Sequence, residues 1–107
     1  MVVRPPVVYV PNKGAHNYED AKQYGELVFL TSGVVERYRT NTIYRTLCEG
    51  MKDAQENDYL LVSSLSILNS IISAILSRKF GKVNFLLFRD GKYLLRTVNI
   101  DSLLYED

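Results

Sequence analysis

The chain has 107 residues, 47% of them hydrophobic and 23% charged, with 13 lysines and arginines against 12 aspartates and glutamates. That is the composition of one globular domain spanning residues 1–107, and a formal charge of +1 excludes a body built as a basic stripe for extended nucleic acid. Cys48 and His16 are each the only residue of their kind, which excludes an intrachain disulfide and the common structural zinc sites and suits a reducing compartment such as the cytoplasm.

In chain order, VVYV at 7–10 reads as a short buried strand, entered from Pro5-Pro6 and stopped by Pro11. The two prolines also interrupt the first apolar stretch, so no signal peptide is expected there. NKGAHN is a loop, YEDAKQY a short weak helix stopped by Gly25, and ELVFLT at 26–31 a second apolar strand closed by Ser32-Gly33. VVERYR fits either a loop or an edge strand. Thr40 or Asn41 then caps a helix running to about 54, whose apolar stripe is Ile43, Leu47, Met51 and Ala54, with Tyr44 and Cys48 beside it. Glu56-Asn57-Asp58 is the turn out.

YLLV, 59–62, is the third strand. The helix after it, about 65–79, buries Leu65, Leu68, Ile72, Ile75 and Leu76, with Ile67, Ile71 and Ala74 widening the apolar face. A helix apolar on so many sides is expected to be covered by more than one neighbour. It is too short, and too interrupted by Asn69, Ser70 and Ser73, to span a bilayer. VNFLLF at 83–88 is the fourth strand. Asp90-Gly91 is a two-residue type I′ hairpin signal, and YLLRTVNI is an antiparallel edge strand. DSLLYED forms the tail.

Strands alternating with helices, each strand a nearly continuous apolar run, predict a mostly parallel sheet with right-handed crossovers. The fold class is therefore α/β: a small three-layer Rossmann-like or flavodoxin-like sandwich with a C-terminal antiparallel hairpin. By analogy with the flavodoxin-like class the strand order is 2-1-3-4-5.

In such a sheet the strand-to-helix loops open on one rim, where ligands bind. Collected there are Lys13, Gly14, His16 and Asn17 after the first strand, Thr31, Ser32 and Gly33 after the second, and Ser63, Ser64 and Ser66 after the third. Asn69 lies one turn into the following helix, and Arg37 is placed to close over the rim. Taken singly, the serines are ordinary helix caps and Asn69 a hydrogen-bonded core amide. Taken together they read as a site for a small phosphorylated or nucleotide-like ligand, the helix start and hydroxyls facing the anion and Lys13 adding charge. Neither G-x-x-x-x-G-K-[ST] nor G-x-G-x-x-G occurs.

His16 is the one candidate general base, with Asp20 a carboxylate close by in sequence; catalysis requires a partner positioned beside it. Arg37, Arg39 and Arg45 with Tyr38 and Tyr44 mix cations and aromatics, as a nucleotide surface does and as a solvated loop also does. Cys48 reads as core. No metal or cofactor is expected. Tyr38, Tyr44, Tyr93 and Tyr105 fall near expected surfaces, and the fifth strand with the tail offers a homo-oligomer interface.

"NKGAHNYEDAKQYGELVFLTSG", "DYLLVSSLSILN" and "VNFLLFRDGKYLLRTV" are similar to stretches of small uncharacterised α/β proteins encoded in bacteriophage genomes. The resemblance covers residues 7–98 and implies a viral protein acting in the host cytoplasm. It implies no catalytic residue. The leading expectation is thus a non-enzymatic binding protein for a phosphorylated ligand or a protein partner. A nucleotide hydrolase or transferase using His16, and a viral structural or assembly protein acting as a homo-oligomer, are the alternatives.

Overall fold

A computed structural model describes residues 4–14, 16–63 and 65–100. Ser64 and the tail with Tyr105 lie outside the described residues. The elements are β1 (Val7–Val10), a 3-10 helix (Glu19–Gln23), β2 (Glu26–Phe29), α1 (Thr40–Gly50), β3 (Tyr59–Leu61), α2 (Ser66–Phe80), β4 (Lys82–Arg89) and β5 (Lys92–Asn99). They build one five-stranded sheet in the order β2-β1-β3-β4-β5. The first three pairings across that order are parallel and β4–β5 is antiparallel. This is a mostly parallel α/β sheet with the expected strand order. At the hairpin, Asp90 and Gly91 both take positive φ, 51° and 84°, as the type I′ turn requires.

The two faces are covered differently. On one, Val7, Tyr9, Leu60 and Val83 pack beneath Ile43, Leu47 and Met51 of α1 and its exit and Leu68, Ile72 and Leu76 of α2. The stripe of α1 is therefore where its spacing puts it. On α2 only Leu68, Ile72 and Leu76 are buried. Ile71 and Ile75 are half-buried and Ala74 is exposed, so that helix is less enclosed than its composition predicts.

On the second face, Val8, Val10, Leu61, Leu86 and Tyr93 pack with Ala21, and Tyr18, Tyr24, Leu27 and Tyr59 border them. Here the cover is a five-residue 3-10 helix and a set of aromatic rings in place of an α-helix. With so thin a cover, and with β2 at the sheet edge, β2 is only half-buried and Phe29 stays 37% exposed. Tyr93, expected near the surface, is buried in this layer.

The helix starts depart from the sequence expectation. Arg39 and Leu65 occupy the N-cap positions, neither with a side-chain cap, so Thr40, Asn41 and Ser66 are not the caps. Residues 34–39 form a loop with no strand.

Gly25 owes its place to close approach. A Cβ there would lie 2.3 Å from the Pro6 carbonyl oxygen, because the chain entering β2 runs directly against the chain entering β1.

A polar network lies under the amino ends of the parallel strands. The Asp58 side chain is fully buried and accepts from Arg4 Nη1 at 2.8 Å and Nη2 at 2.7 Å, Val7 N at 3.1 Å and Gln55 N at 2.8 Å. Burial pushes the Asp58 carboxyl up, but the donors from Arg4, Gln55 and Val7 outweigh it and hold it below the ordinary aspartate range. Arg4 also donates to the Asp53 carbonyl at 2.9 Å and lies 3.5 Å from the Tyr9 hydroxyl. Burial pushes the Tyr9 phenol up to about 12. Next to Asp58, Asn84 donates to the Asp58 and Glu56 carbonyls and accepts from the Thr97 hydroxyl at 2.8 Å. The network thus reaches from β1 through β3 and β4 to β5.

Asp58→Asn is expected to cost about 1–3 kcal/mol in urea unfolding, since an amide nitrogen that cannot accept then faces buried donors where a carboxylate oxygen stood. Because the folded pKa of Asp58 lies below its unfolded value, its contribution is complete above about pH 4 and lost as pH falls through the folded pKa. The variant should therefore show a flatter acid limb than the parent. Gly25→Ala should lower the urea midpoint by an overpacking cost of about 1–3 kcal/mol.

Candidate functional site

The loops at the carboxyl ends of the strands are laced to one another. Pairing of β1 with β2 continues past the strands: Thr31 N donates to the Pro11 carbonyl at 3.1 Å and Lys13 N to the Thr31 carbonyl at 2.8 Å. The Thr31 hydroxyl lies 2.7 Å from the Pro11 carbonyl oxygen and 2.8 Å from Asn12 Oδ1. Asn12 Nδ2 donates to the Gly33 carbonyl at 3.1 Å. These two loops form one stiff wall.

The loop after β3 is fixed by Asn69. Its Oδ1 accepts from Ser63 N at 3.2 Å, and its Nδ2 donates to the Ser63 carbonyl at 2.7 Å. The amide thereby imitates a neighbouring strand. Ser63 Oγ accepts from Leu65 N at 3.3 Å, so the serine turns the chain into α2 from two residues away. In the described structure Asn69 and Ser63 hold the loop.

Beside the loop after β3, on the second face of the sheet, lies a cavity of about 320 Å³ lined by His16, Asn17, Tyr18, Leu61, Val62, Ser63, Phe88 and Tyr93. The rings are arranged in two groups. His16 meets Tyr18 edge-on with centroids 6.1 Å apart, and Phe88 tilts against Tyr93 at 5.1 Å. Phe88 is 59% exposed and forms part of the mouth. The opposite wall is tied across the sheet by the 3-10 helix. Asp20 Oδ2 accepts from Tyr93 N at 2.6 Å, and the Tyr24 hydroxyl donates to the Tyr93 carbonyl at 2.9 Å. The edge-facing amide and carbonyl of β5 at Tyr93 are thus both taken by side chains. Asp20 is committed to that tie, and Glu19, the carboxylate nearest His16 in sequence, pairs with Lys22 at 2.9 Å. Among the described residues no hydrogen bond or ion pair joins His16 to a carboxylate.

Of the residues expected at the rim, His16, Asn17 and Ser63 come together in this cavity. Thr31 and Ser32 do not line it: they border a separate hollow with Val35, Glu36 and Arg39 on the α1 side. Lys13 reaches the other way, its Nζ 5.6 Å from the centre of the Phe29 ring. Gly14, Gly33, Arg37 and Ser66 are exposed and line neither space. The sequence reading missed the aromatic walls, because Tyr18, Phe88 and Tyr93 are brought together by the thin cover of the second face rather than by a motif. A larger open groove of about 740 Å³, lined by His16, Tyr18, Leu27 and Phe29 among others, runs along the β2 edge of the same face.

A small α/β protein with an aromatic pocket at its strand exits is the class that these features define. The family model of the phage Pam3 gp32-like protein matches residues 6–102, and the chain belongs to that family of phage proteins. No curated protein and no solved structure gives a significant match. Among the described residues no group of histidine, cysteine and carboxylates is placed to hold a metal, and no helix is long and apolar enough to cross a membrane.

Asn69→Ala should cost about 1–3 kcal/mol by leaving the Ser63 backbone groups unpaired. Faster amide hydrogen exchange confined to residues 62–69 would accompany the loss.

Proposed function

We propose that this phage protein is a non-enzymatic binding protein whose rim pocket takes a flat, uncharged heteroaromatic ring, the base of a nucleoside or nucleotide. The observation that carries this reading is the cavity of about 320 Å³ between the His16–Tyr18 and Phe88–Tyr93 pairs. Aromatic walls stack a base face to face, and the polar atoms of Asn17, Ser63 and His16 give its edge hydrogen-bonding partners. A phosphate is the less favoured occupant, since no lysine or arginine lines this cavity and Lys13 lies over Phe29. The sugar and any phosphate of a nucleotide then point outward past the β1 loop. A general-base role for His16 fits less well, because proton abstraction needs a positioned partner and Asp20 is engaged elsewhere. We read the sheet as flavodoxin-like, a reading supported by the strand order, and the site of action as the host cytoplasm.

Self-association through the β4–β5 hairpin is a second reading, favoured by Leu87, Phe88 and Leu95 at 40%, 59% and 38% exposure. Light scattering at high concentration decides it: a dimer supports it, and a monomer that persists removes it.

Calorimetric titration with nucleosides and their monophosphates tests the first reading. One nucleoside and its monophosphate are expected to bind alike, Lys13→Ala to change nothing, and Phe88→Ala to weaken binding about tenfold, the value of one stacking contact. Binding by no member of the panel, or only by phosphorylated members, would rule it out.

A further inference from the structure

The outer surface of the helices carries a second, unrelated groove. Tyr44 of α1 and Ser70, Ile71, Ala74, Ile75 and Arg78 of α2 enclose about 330 Å³ of open, largely apolar space. Its length along α2, from Ser70 to Arg78, is about 12 Å, two turns of a helix. Surface helices normally carry charge on the outward side. Here α2 has no charged residue before Arg78, and no carboxylate occurs anywhere from Tyr59 to Arg89. On α1 the single carboxylate, Glu49, is paired with Lys52 at 3.3 Å. Among the described residues no carboxylate forms an ion pair with Arg45, Arg78 or Lys79. The floor is therefore apolar, with a cation at one end and a half-exposed tyrosine at its side.

We propose that this groove docks a short acidic, apolar segment of a protein partner, its leucine-like side chains over Ile71, Ala74 and Ile75 and its carboxylates toward Arg78. Charge complementarity selects that chemistry. A basic segment meets Arg78 and Lys79 with no anion to offset them. A nucleic-acid strand finds one aromatic ring and an aliphatic floor where a stacking surface is needed. The arrangement is that of an amphipathic helix laid in a groove, read through anchors at i, i+3 and i+4.

Selection of a random peptide display library, with inserts of about twelve residues or three helical turns, on the immobilised full chain tests this. Enriched peptides are expected to combine aspartate or glutamate with large apolar residues. Their affinity should fall about tenfold, the effect of losing one anchor, in both Arg78→Glu and Ala74→Glu, with circular dichroism and urea midpoint retained. Both positions are on the outer surface; Ser70→Glu substitutes for either variant that fails to fold. No enrichment, enrichment of neutral or basic peptides, or binding indifferent to these variants overturns the proposal. So does oligothymidylate binding with the same dependence on Arg78 and Ala74.

Discussion

The structure depends on one buried carboxylate. Four donors converge on Asp58: two from Arg4, one from the first residue of β1 and one from the turn that leads into β3. A parallel pair has no hairpin to set its register, so something else must align β1 with β3. Here the alignment comes from Asp58, which holds the entry to β1 and the entry to β3 on the same two oxygens. Asn84 extends the constraint to β4 and, through Thr97, to β5. Fixing the entries fixes the exits, since short strands of three and four residues leave little slack. The exits carry His16, Asn17 and Ser63, so the pocket at one end of the sheet is set by the ion pair at the other. Asp58 is the buried member of the pair, while Arg4 keeps access to solvent, so the constraint rests on the carboxylate and the donors that it gathers.

Much of this was legible in the sequence, and the reasons are local. Four apolar runs and the Asp90-Gly91 turn suffice for the strands, because strand burial and φ-positive turns leave short-range signals. By its neighbours Asp58 is a turn residue, and nothing beside Arg4 gives it a role. Their partnership spans 54 residues, and nothing near either one announces it. Ser63, Ser64 and Ser66 posed a similar problem. Helix capping is the natural expectation for such a cluster, yet Asn69 does the holding, together with Ser63. A side chain six residues away fixes the strand exit by returning to it and leaves the helix start without a side-chain cap, and the sequence alone does not say that it returns. The rim was foreseen as one mouth; it is two hollows. Lacing between the β1 and β2 loops turns Thr31 and Ser32 toward α1, while the tyrosines of the second face draw His16 and Asn17 toward β4 and β5.

Four of the eight tyrosines find their explanation in the second face. An α-helix there would supply a row of aliphatic side chains. A five-residue 3-10 helix cannot, and Tyr18, Tyr24, Tyr59 and Tyr93 fill the layer with rings whose hydroxyls still reach solvent or a carbonyl. The economy of that cover leaves an aromatic pocket open beside it. The helical face has the opposite character, with an aliphatic inner side and an outer groove that is apolar with a cation at one end. The two surfaces of this small phage protein thus differ in chemistry, one walled by aromatic rings and the other aliphatic with a cation at its end. The sheet between them is the rigid element that keeps the two apart.

The most direct measurement is a carbon-13 titration of the Asp58 carboxyl by NMR, following the Val7 and Gln55 amide protons in the same samples. Asp58 is expected to stay ionised below the ordinary aspartate value of about 3.9, and both amides to move only when it finally protonates. A carboxyl that titrates at or above that value, with the two amides indifferent to it, would contradict the claim that this group sets the register of the sheet.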